Sequence, residues 1–238
     1  MTSANQRISN YGWITPYLTG SIHSIIEVGS RDCEDALEFS DLFGCSVVAF
    51  EPDPRAFAIC KEAITQSKSK LVQIQNLALS DENGVLDFYL YDVGNSSIHP
   101  HRTQELIGKT QVSVRRFDAL PFGAPTLLIM DTQGSEGKVI KGFGDKLGEV
   151  KWICFETAFV SAYQNEFNFP EIHRYLKQNG FEFVASNVSG RGIINFRIMR
   201  LRNIFFSLRK SNFRNPHQHE GFFDVLYRNK VNSKSSQQ

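Results

Sequence analysis

The chain has few cysteines, no net charge to speak of and no long apolar run. The four cysteines, Cys33, Cys45, Cys60 and Cys154, stand far apart with no CxxC pair, so neither a zinc site nor a disulfide framework is expected and the thiols read as reduced, which points to a cytoplasmic protein. A formal charge of +1 over 238 residues leaves the field of the whole molecule without a preference for polyanions, so any electrostatic argument must be local. No segment approaches the ~18 uncharged apolar residues of a membrane span, and the N-terminus carries no apolar run behind basic residues. A glycine-rich GxGxxG turn is also missing, as is any recognisable nucleic-acid-binding module. Internal repeats are absent.

What is present is a rhythm of short apolar runs alternating with amphipathic stretches. Residues 24–29 (SIIEVG) form an apolar run stopped by glycine, which suits a strand buried on both faces. After Asp32, the spacing of Ala36, Leu37, Phe39, Ser40 and Phe43 fits a helix with an acidic first turn. Residues 46–50 (SVVAF) read as a second strand, 54–64 as a helix opened by Pro54, and 71–77 as a third strand. Alternation of strand and helix predicts a parallel sheet with right-handed crossovers. Residues 85–91 (VLDFYLY), after the turn signal at 81–84, predict an added strand, 94–108 a polar loop, and 112–117 a further strand. The buried-strand pattern resumes at 126–131 (TLLIMD) and 152–156 (WICFE), followed by helices over 136–143 and 170–179, the second closed by Gly180. Strands over 181–185 and 222–227 complete the sheet. The expected organisation is one α/β domain over 24–231, preceded by an irregular or helical extension (1–23) and followed by a disordered polar tail (232–238).

Three of these strands end in or run into an acid: Glu51, Asp131 and Glu156. In a doubly wound sheet such carboxyl ends face the ligand crevice. The turn Glu27, Val28, Gly29, Ser30, Arg31, Asp32 joins the first strand to the first helix, where Gly29 permits a tight bend and the helix start offers free amide donors. Glu51, about twenty residues on, is placed to accept hydrogen bonds from a ribose diol. An adenosine fits between these points in either of two cofactors. A pyrophosphate calls for close-approach glycines and no negative charge at the helix start, whereas Asp32 and Asp35 stand there. A sulfonium with an ammonium group suits Glu27 and Asp32, so the residues favour S-adenosylmethionine over a nicotinamide dinucleotide.

Taken in order, the blocks IIEVGSRD (25–32), VVAFEPDP (47–54), NLALSDENG (76–84), GNSS (94–97), LLIMDTQGSEGKVIKG (127–142) and WICFE (152–156) resemble the FkbM-type methyltransferase family. The resemblance covers residues 25–156. It implies a Rossmann-like class I methyltransferase fold, a doubly wound, mostly parallel seven-stranded sheet with the last strand antiparallel, here with an added β-hairpin. It also implies S-adenosylmethionine as cofactor and methylation of a hydroxyl on a sugar, glycan or related small molecule. By that resemblance Glu27 and Gly29 flank the methionine end of the cofactor, Glu51 and the adjoining Pro52 meet the ribose, Asn76, Leu77 and Ala78 lie near the adenine, and Asp131 stands at the mouth where the methyl group passes. Many relatives carry small residues after the glycine. This chain has Ser30, Arg31, Asp32 and Cys33, and Arg31 becomes the candidate to bind the cofactor's carboxylate.

A hydroxyl acceptor is almost wholly protonated at neutral pH, so a base or a metal must take its proton. Asp131 is the first candidate, then Glu136 one turn on, then Glu156 completing a carboxylate cluster, with Gln133 or Ser135 holding the acceptor. His99 and His101, in the loop after GNSS, are further candidate bases. A divalent metal is compatible with this spacing and not required by it, and no ligand set stands out. Glu136 reads equally as a helix N-terminal acid favoured by the macrodipole.

Between the last two strands lies a long connection, 186–221. Within it, residues 191–214 hold no acid, carry Arg197, Arg200, Arg202, Arg209, Lys210 and Arg214, and place Ile198, Leu201, Phe205 and Leu208 at helical spacing, so a basic amphipathic helix is expected. Its readings stay open: a lid over the acceptor, an interface with a partner or second copy, or contact with an anionic membrane surface. So do rivals for the whole chain: a nitrogen- or carboxyl-directed methyltransferase, a noncatalytic subunit that keeps the fold, and a nicotinamide-dependent oxidoreductase.

Overall fold

The computed structural model describes residues 11–92, 96–158, 163, 164, 166–187 and 222–230. The basic stretch expected over 191–214, His217, His219, the tail over 232–238 and half of the GNSS block (Gly94 and Asn95) lie outside these.

Ten strands and four α-helices alternate along the described chain. Strands β1 (Ser24–Val28), β2 (Ser46–Phe50) and β3 (Val72–Gln75) are followed by β7 (Leu127–Met130), β8 (Trp152–Thr157), β9 (Phe181–Ser186) and β10 (Phe223–Asn229) in one seven-stranded sheet of order β3-β2-β1-β7-β8-β10-β9. β10 runs antiparallel to both neighbours and the other pairs are parallel. This is the class I methyltransferase arrangement. The order reverses between β1 and β7, the point at which an open α/β sheet leaves a crevice at its carboxyl edge.

Local chemistry explains the helices. Helix α2 (Pro54–Ser67) opens with proline at its first position and Asp53 as cap, the carboxylate accepting from Arg55 N at 2.9 Å. Helix α4 (Phe169–Gln178) carries a reciprocal capping box between Asn168 and Glu171 and ends at Gly180, φ 86°. α3 (Glu136–Gly142) starts at the acid expected there. α1 (Glu34–Phe43) starts two residues later than Asp32, because Arg31 and Cys33 both adopt positive φ and the turn closes on Ser30 O before the helix begins. Asp32, one residue before the N-cap Cys33, accepts at Oδ1 from Glu34 N at 3.2 Å.

The added hairpin is larger than the sequence suggested. β5 (Gly84–Leu90) and β6 (Gly108–Arg115) pair antiparallel, and β4 (Ala78–Leu79), just past the third strand expected over 71–77, pairs parallel with β6 in a separate three-stranded sheet. β6 starts at Gly108 rather than 112 because its first residues alternate intermediate and exposed, a polar pattern that reads as loop.

Apolar faces of the main sheet are covered on both sides. One core gathers Val28, Phe50, Met130, Phe155, Phe143 and Leu176, the other Ala49, Ile129, Trp152, Phe39 and Cys60. The N-terminal extension joins the second through Ile14 and Tyr11, both buried, from a short 3-10 turn at Gly12–Tyr17. All four cysteines are buried and unbridged. Among the described residues no helix is long and apolar enough to cross a membrane.

Candidate active site

Strand register assembles the site. Val28 pairs with Phe50 on one side and Met130 on the other, and Met130 pairs with Phe155. The residues that follow, Gly29, Glu51, Asp131 and Glu156, therefore stand in one row along the carboxyl edge of adjacent strands. Asp224 on β10 lies opposite Glu156, adding a carboxylate that sequence reading missed. Its only signal was a lone acid within the apolar run FFDVLY. This edge opens into a cavity of about 340 Å³ lined by Glu27, Gly29, Ser30, Arg31, Asp32, Asp35, Glu51, Pro52, Ala78, Asp131, Glu156 and Asp224, with Leu79, Phe88 and Ile98 as apolar wall.

Gly29 is held where no other residue fits. Its φ is 85°, and a Cβ there would sit 1.8 Å from the carbonyl oxygen of Asp131. The close approach expected against a ligand is thus an approach of backbone to backbone, tying the first turn to the end of β7. Both turn amides, Gly29 N and Ser30 N, donate to Phe50 O. Glu51 is buried and closes the turn from the far side: Oε2 accepts from Arg31 N at 2.9 Å and Oε1 from Asp53 N at 2.8 Å. Each oxygen keeps a further lone pair for a ribose hydroxyl. Asn76 does not line the cavity; its Nδ2 donates to Glu51 O at 2.8 Å and so steadies the end of β2. Leu77 packs into the core instead.

Glu27 is buried and accepts from Ser30 Oγ. Arg31 pairs with Asp32, Nη2 to Oδ2 2.8 Å, with its guanidinium half exposed. It is the only basic residue lining the cavity among those described. Burial pushes proton affinities up across the site. Glu51 rises to about 7 and Asp224 to about 7, while Glu27, Asp131 and Glu156 all move up from the ordinary carboxylate range. An acid-rich cavity with so little matching positive charge fits a cationic ligand, which would return these groups toward their ionised form.

The expected catalytic residues separate. Asp131 and Glu156 come together, bridged by Gln133, whose Nε2 donates to Asp131 Oδ1 at 2.7 Å and reaches Glu156 Oε2 at 3.4 Å. Glu136 is not in the lining. It accepts from Thr132 N and Thr132 Oγ1, both at 2.8 Å, and clamps the loop between β7 and α3; burial lifts it to about 7. His99 is also outside the lining, buried, with Nε2 unpartnered and its proton affinity lowered to about 4 by burial and then Lys138. His101 accepts at Nδ1 from Thr103 N and Gln104 N. Among the described residues no three His, Cys, Asp or Glu side chains form a group that could hold a metal ion.

The family described as the methyltransferase FkbM domain matches residues 27–183. The chain belongs to that family. As an FkbM methyltransferase domain it uses S-adenosylmethionine as methyl donor. It is 28% identical over 181 residues to the 2-O-methyltransferase NoeI of Sinorhizobium fredii, covering 68% of this chain and 73% of that protein. The crystal structure of methyltransferase FkbM from Methylobacillus flagellatus superposes with a TM-score of 0.53 at 14% identity, over 71% of this chain and 41% of that one. The ribosomal protein L11 methylase of Lactobacillus delbrueckii superposes with 0.50 at 11% identity, over 91% of this chain and 75% of that one. At these identities the structural likenesses show the fold alone, and this chain spans less than half the length of the first.

Proposed function

We propose that this FkbM methyltransferase moves the methyl group of S-adenosylmethionine to a hydroxyl oxygen of a sugar, glycan or related small molecule. The observation that carries the reading is the half-buried row Asp131, Glu156 and Asp224 lining the cavity, with raised proton affinity. An alkyl hydroxyl needs a proton acceptor, and a carboxylate lifted by burial is a better base than one in water. That NoeI is a 2-O-methyltransferase supports oxygen as the atom methylated.

When bound, S-adenosylmethionine supplies a methyl group on a positively charged sulfur, so the leaving group is already activated. The chain's part is then alignment and charge. Glu51 receives the ribose hydroxyls through the lone pairs its two backbone partners leave over. Glu27 and Asp32 set negative charge beside the first turn, where the amino group and sulfonium are favoured. Asp131 takes the acceptor's proton as its oxygen gains the methyl group, and Ser135 and Asn187, also lining the cavity, offer hydrogen bonds to the acceptor's remaining hydroxyls.

The test is transfer of labelled methyl from S-adenosylmethionine to a panel of neutral mono- and oligosaccharides, amines and carboxylic acids, with the product bond read by its stability to alkali and by mass spectrometry. An alkali-stable methyl ether on a sugar is expected. Label appearing only on nitrogen or as an alkali-labile ester would overturn the assignment.

A further inference from the structure

The loop after β7 is restrained from several sides, and every restraint meets at one side chain. Gln133 lies in the left-handed region, φ 54°, followed by Gly134 at 96°. A Cβ on Gly134 would come within 3.0 Å of the Tyr163 ring, so that ring packs directly on the loop backbone. Glu136 anchors Thr132 on one side, and Ser97 Oγ donates to Gln133 O at 2.7 Å on the other. A non-glycine residue keeps a sparsely populated backbone conformation only where its surroundings over-determine it, and such residues gather at functional sites.

Those anchors aim the carboxamide. Tyr163 Oη donates to Gln133 Oε1 at 2.7 Å, while Nε2 donates to Asp131 Oδ1 at 2.7 Å and approaches Glu156 Oε2 at 3.4 Å. A carboxamide turned over would keep its shape and reverse its chemistry, setting an oxygen against two acids. The phenol donor on one side and the carboxylates on the other leave a single sensible orientation. Sequence reading offered Gln133 as a residue that holds the acceptor. It does line the cavity, and its carboxamide is held between Tyr163 and the two acids.

We infer that Gln133, oriented by Tyr163, is a positioning residue that decides which carboxyl of the Asp131 and Glu156 pair stands ionised to receive the acceptor's proton. This rests on the reading of Asp131 as the base. Two carboxyls sharing a buried site do not both ionise readily, and a donor favours ionisation of the one it holds more closely. The shorter contact goes to Asp131. Around the pair stand Arg31 from the turn after β1, Glu51 at the end of β2, Asp224 on β10, Tyr11 from the N-terminal extension, Glu136 at the start of α3, and Tyr163 and Glu166 ahead of α4. All but Arg31 are neutral or negative. Gln133 and then Arg31 both favour ionised Asp131, while on Glu156 burial and then Asp131 and Asp224 hold the proton.

The test reads protons on the ligand-free full chain. Carbon-13 in the side-chain carboxyls of aspartate and glutamate is titrated by NMR, with the two signals assigned through Asp131→Asn and Glu156→Gln. In the wild type Asp131 is expected to lose its proton at lower pH than Glu156. Gln133→Asn keeps an amide and a residue tolerant of the left-handed backbone, yet is too short to span from Tyr163 to the acids, and should raise the Asp131 midpoint by about one pH unit, the scale of a lost charged hydrogen bond. Tyr163→Phe, which removes one oxygen, should move it in the same direction and decides the matter alone if Gln133→Asn does not fold. An Asp131 midpoint unmoved in the folded variants, or Glu156 ionising first in the wild type, overturns the inference. No acceptor enters this measurement. If the titration holds while Asp131→Asn still transfers methyl, the assignment of the base fails and the ordering of the two protons stands.

Discussion

Replacing Glu51 by glutamine separates the ribose-binding role proposed for this residue from its structural one. In the folded chain its oxygens accept from Asp53 N and Arg31 N at 2.8 and 2.9 Å. A glutamine has one acceptor oxygen, so one of those amides faces an NH2 group and loses its partner, a cost of about 1–3 kcal/mol. Against that, the carboxyl rises from 4.5 to about 7 on burial, an upper bound of roughly 3 kcal/mol of charge-burial cost at alkaline pH that the amide relieves. These opposing terms leave the stability of the ligand-free protein little changed. Binding has no such offset: the ribose diol loses a charged acceptor, and affinity should fall by about 1–3 kcal/mol, or roughly 5- to 150-fold. Calorimetric titration with S-adenosylhomocysteine isolates the effect, because that compound keeps the ribose and lacks the sulfonium charge. The pH dependence supplies a second reading. Glu51 must be ionised to accept both hydroxyls, so its contribution to affinity is full above about pH 7 and declines as pH falls through that value. Glu51→Gln should lack that component. An unchanged Kd at pH 8, or the same pH slope in both proteins, would refute the assignment of Glu51 to the ribose.

Asp131→Asn should lower turnover on the accepted hydroxyl by ~10²-fold or more while the fold is kept, and near-normal turnover in the labelled-methyl assay would remove Asp131 from the mechanism. Gly29→Ala sets a Cβ 1.8 Å from Asp131 O at a φ of 85°; overpacking and backbone strain together should cost about 2–4 kcal/mol and lower the thermal midpoint by about 5–15 °C, whereas an unaltered midpoint would mean that the turn does not pack on β7. Glu51, Glu136 and Asp224 all rise to about 7, so between about pH 4.5 and 7 the folded chain binds more protons than the unfolded one and its stability falls as pH rises. Calorimetric scans of the ligand-free protein should accordingly show a higher midpoint at pH 6 than at pH 8, with S-adenosylmethionine narrowing the gap; a midpoint that drops on acidification across this range would contradict the buried-carboxylate account.

Most of the sheet could be read from the chain because its strands are buried on both faces and so appear as short apolar runs closed by glycine or an acid. β2 and the helix that Pro54 opens begin where the sequence placed them. The reading weakened where burial was one-sided. β6 begins before the strand expected over 112–117 and β4 lies beyond the one expected over 71–77, because the polar, half-exposed start of β6 and the two residues of β4 carry no apolar run long enough to mark a strand. In the site, strand ends announced Glu51, Asp131 and Glu156, since residues at the carboxyl edge of a doubly wound sheet have one place to face. Asn76, Leu77, Glu136 and His99 share segments with the site yet turn elsewhere, to β2, the core, the loop clamp and a buried niche. Side-chain direction in loops is set by packing partners distant in sequence.

The amino-acid sequence alone therefore determined the class of fold, the crevice and the row of acids along its edge, because alternation of apolar runs and a residue's position at a strand end are local properties. Which acids stand together was decided only in three dimensions. Asp224 reaches Glu156 across an antiparallel pair, and Tyr163 reaches Gln133 from 30 residues away. Those contacts depend on strand order and on a loop held in a left-handed bend, and the balance of charge they impose exists only once the chain has folded.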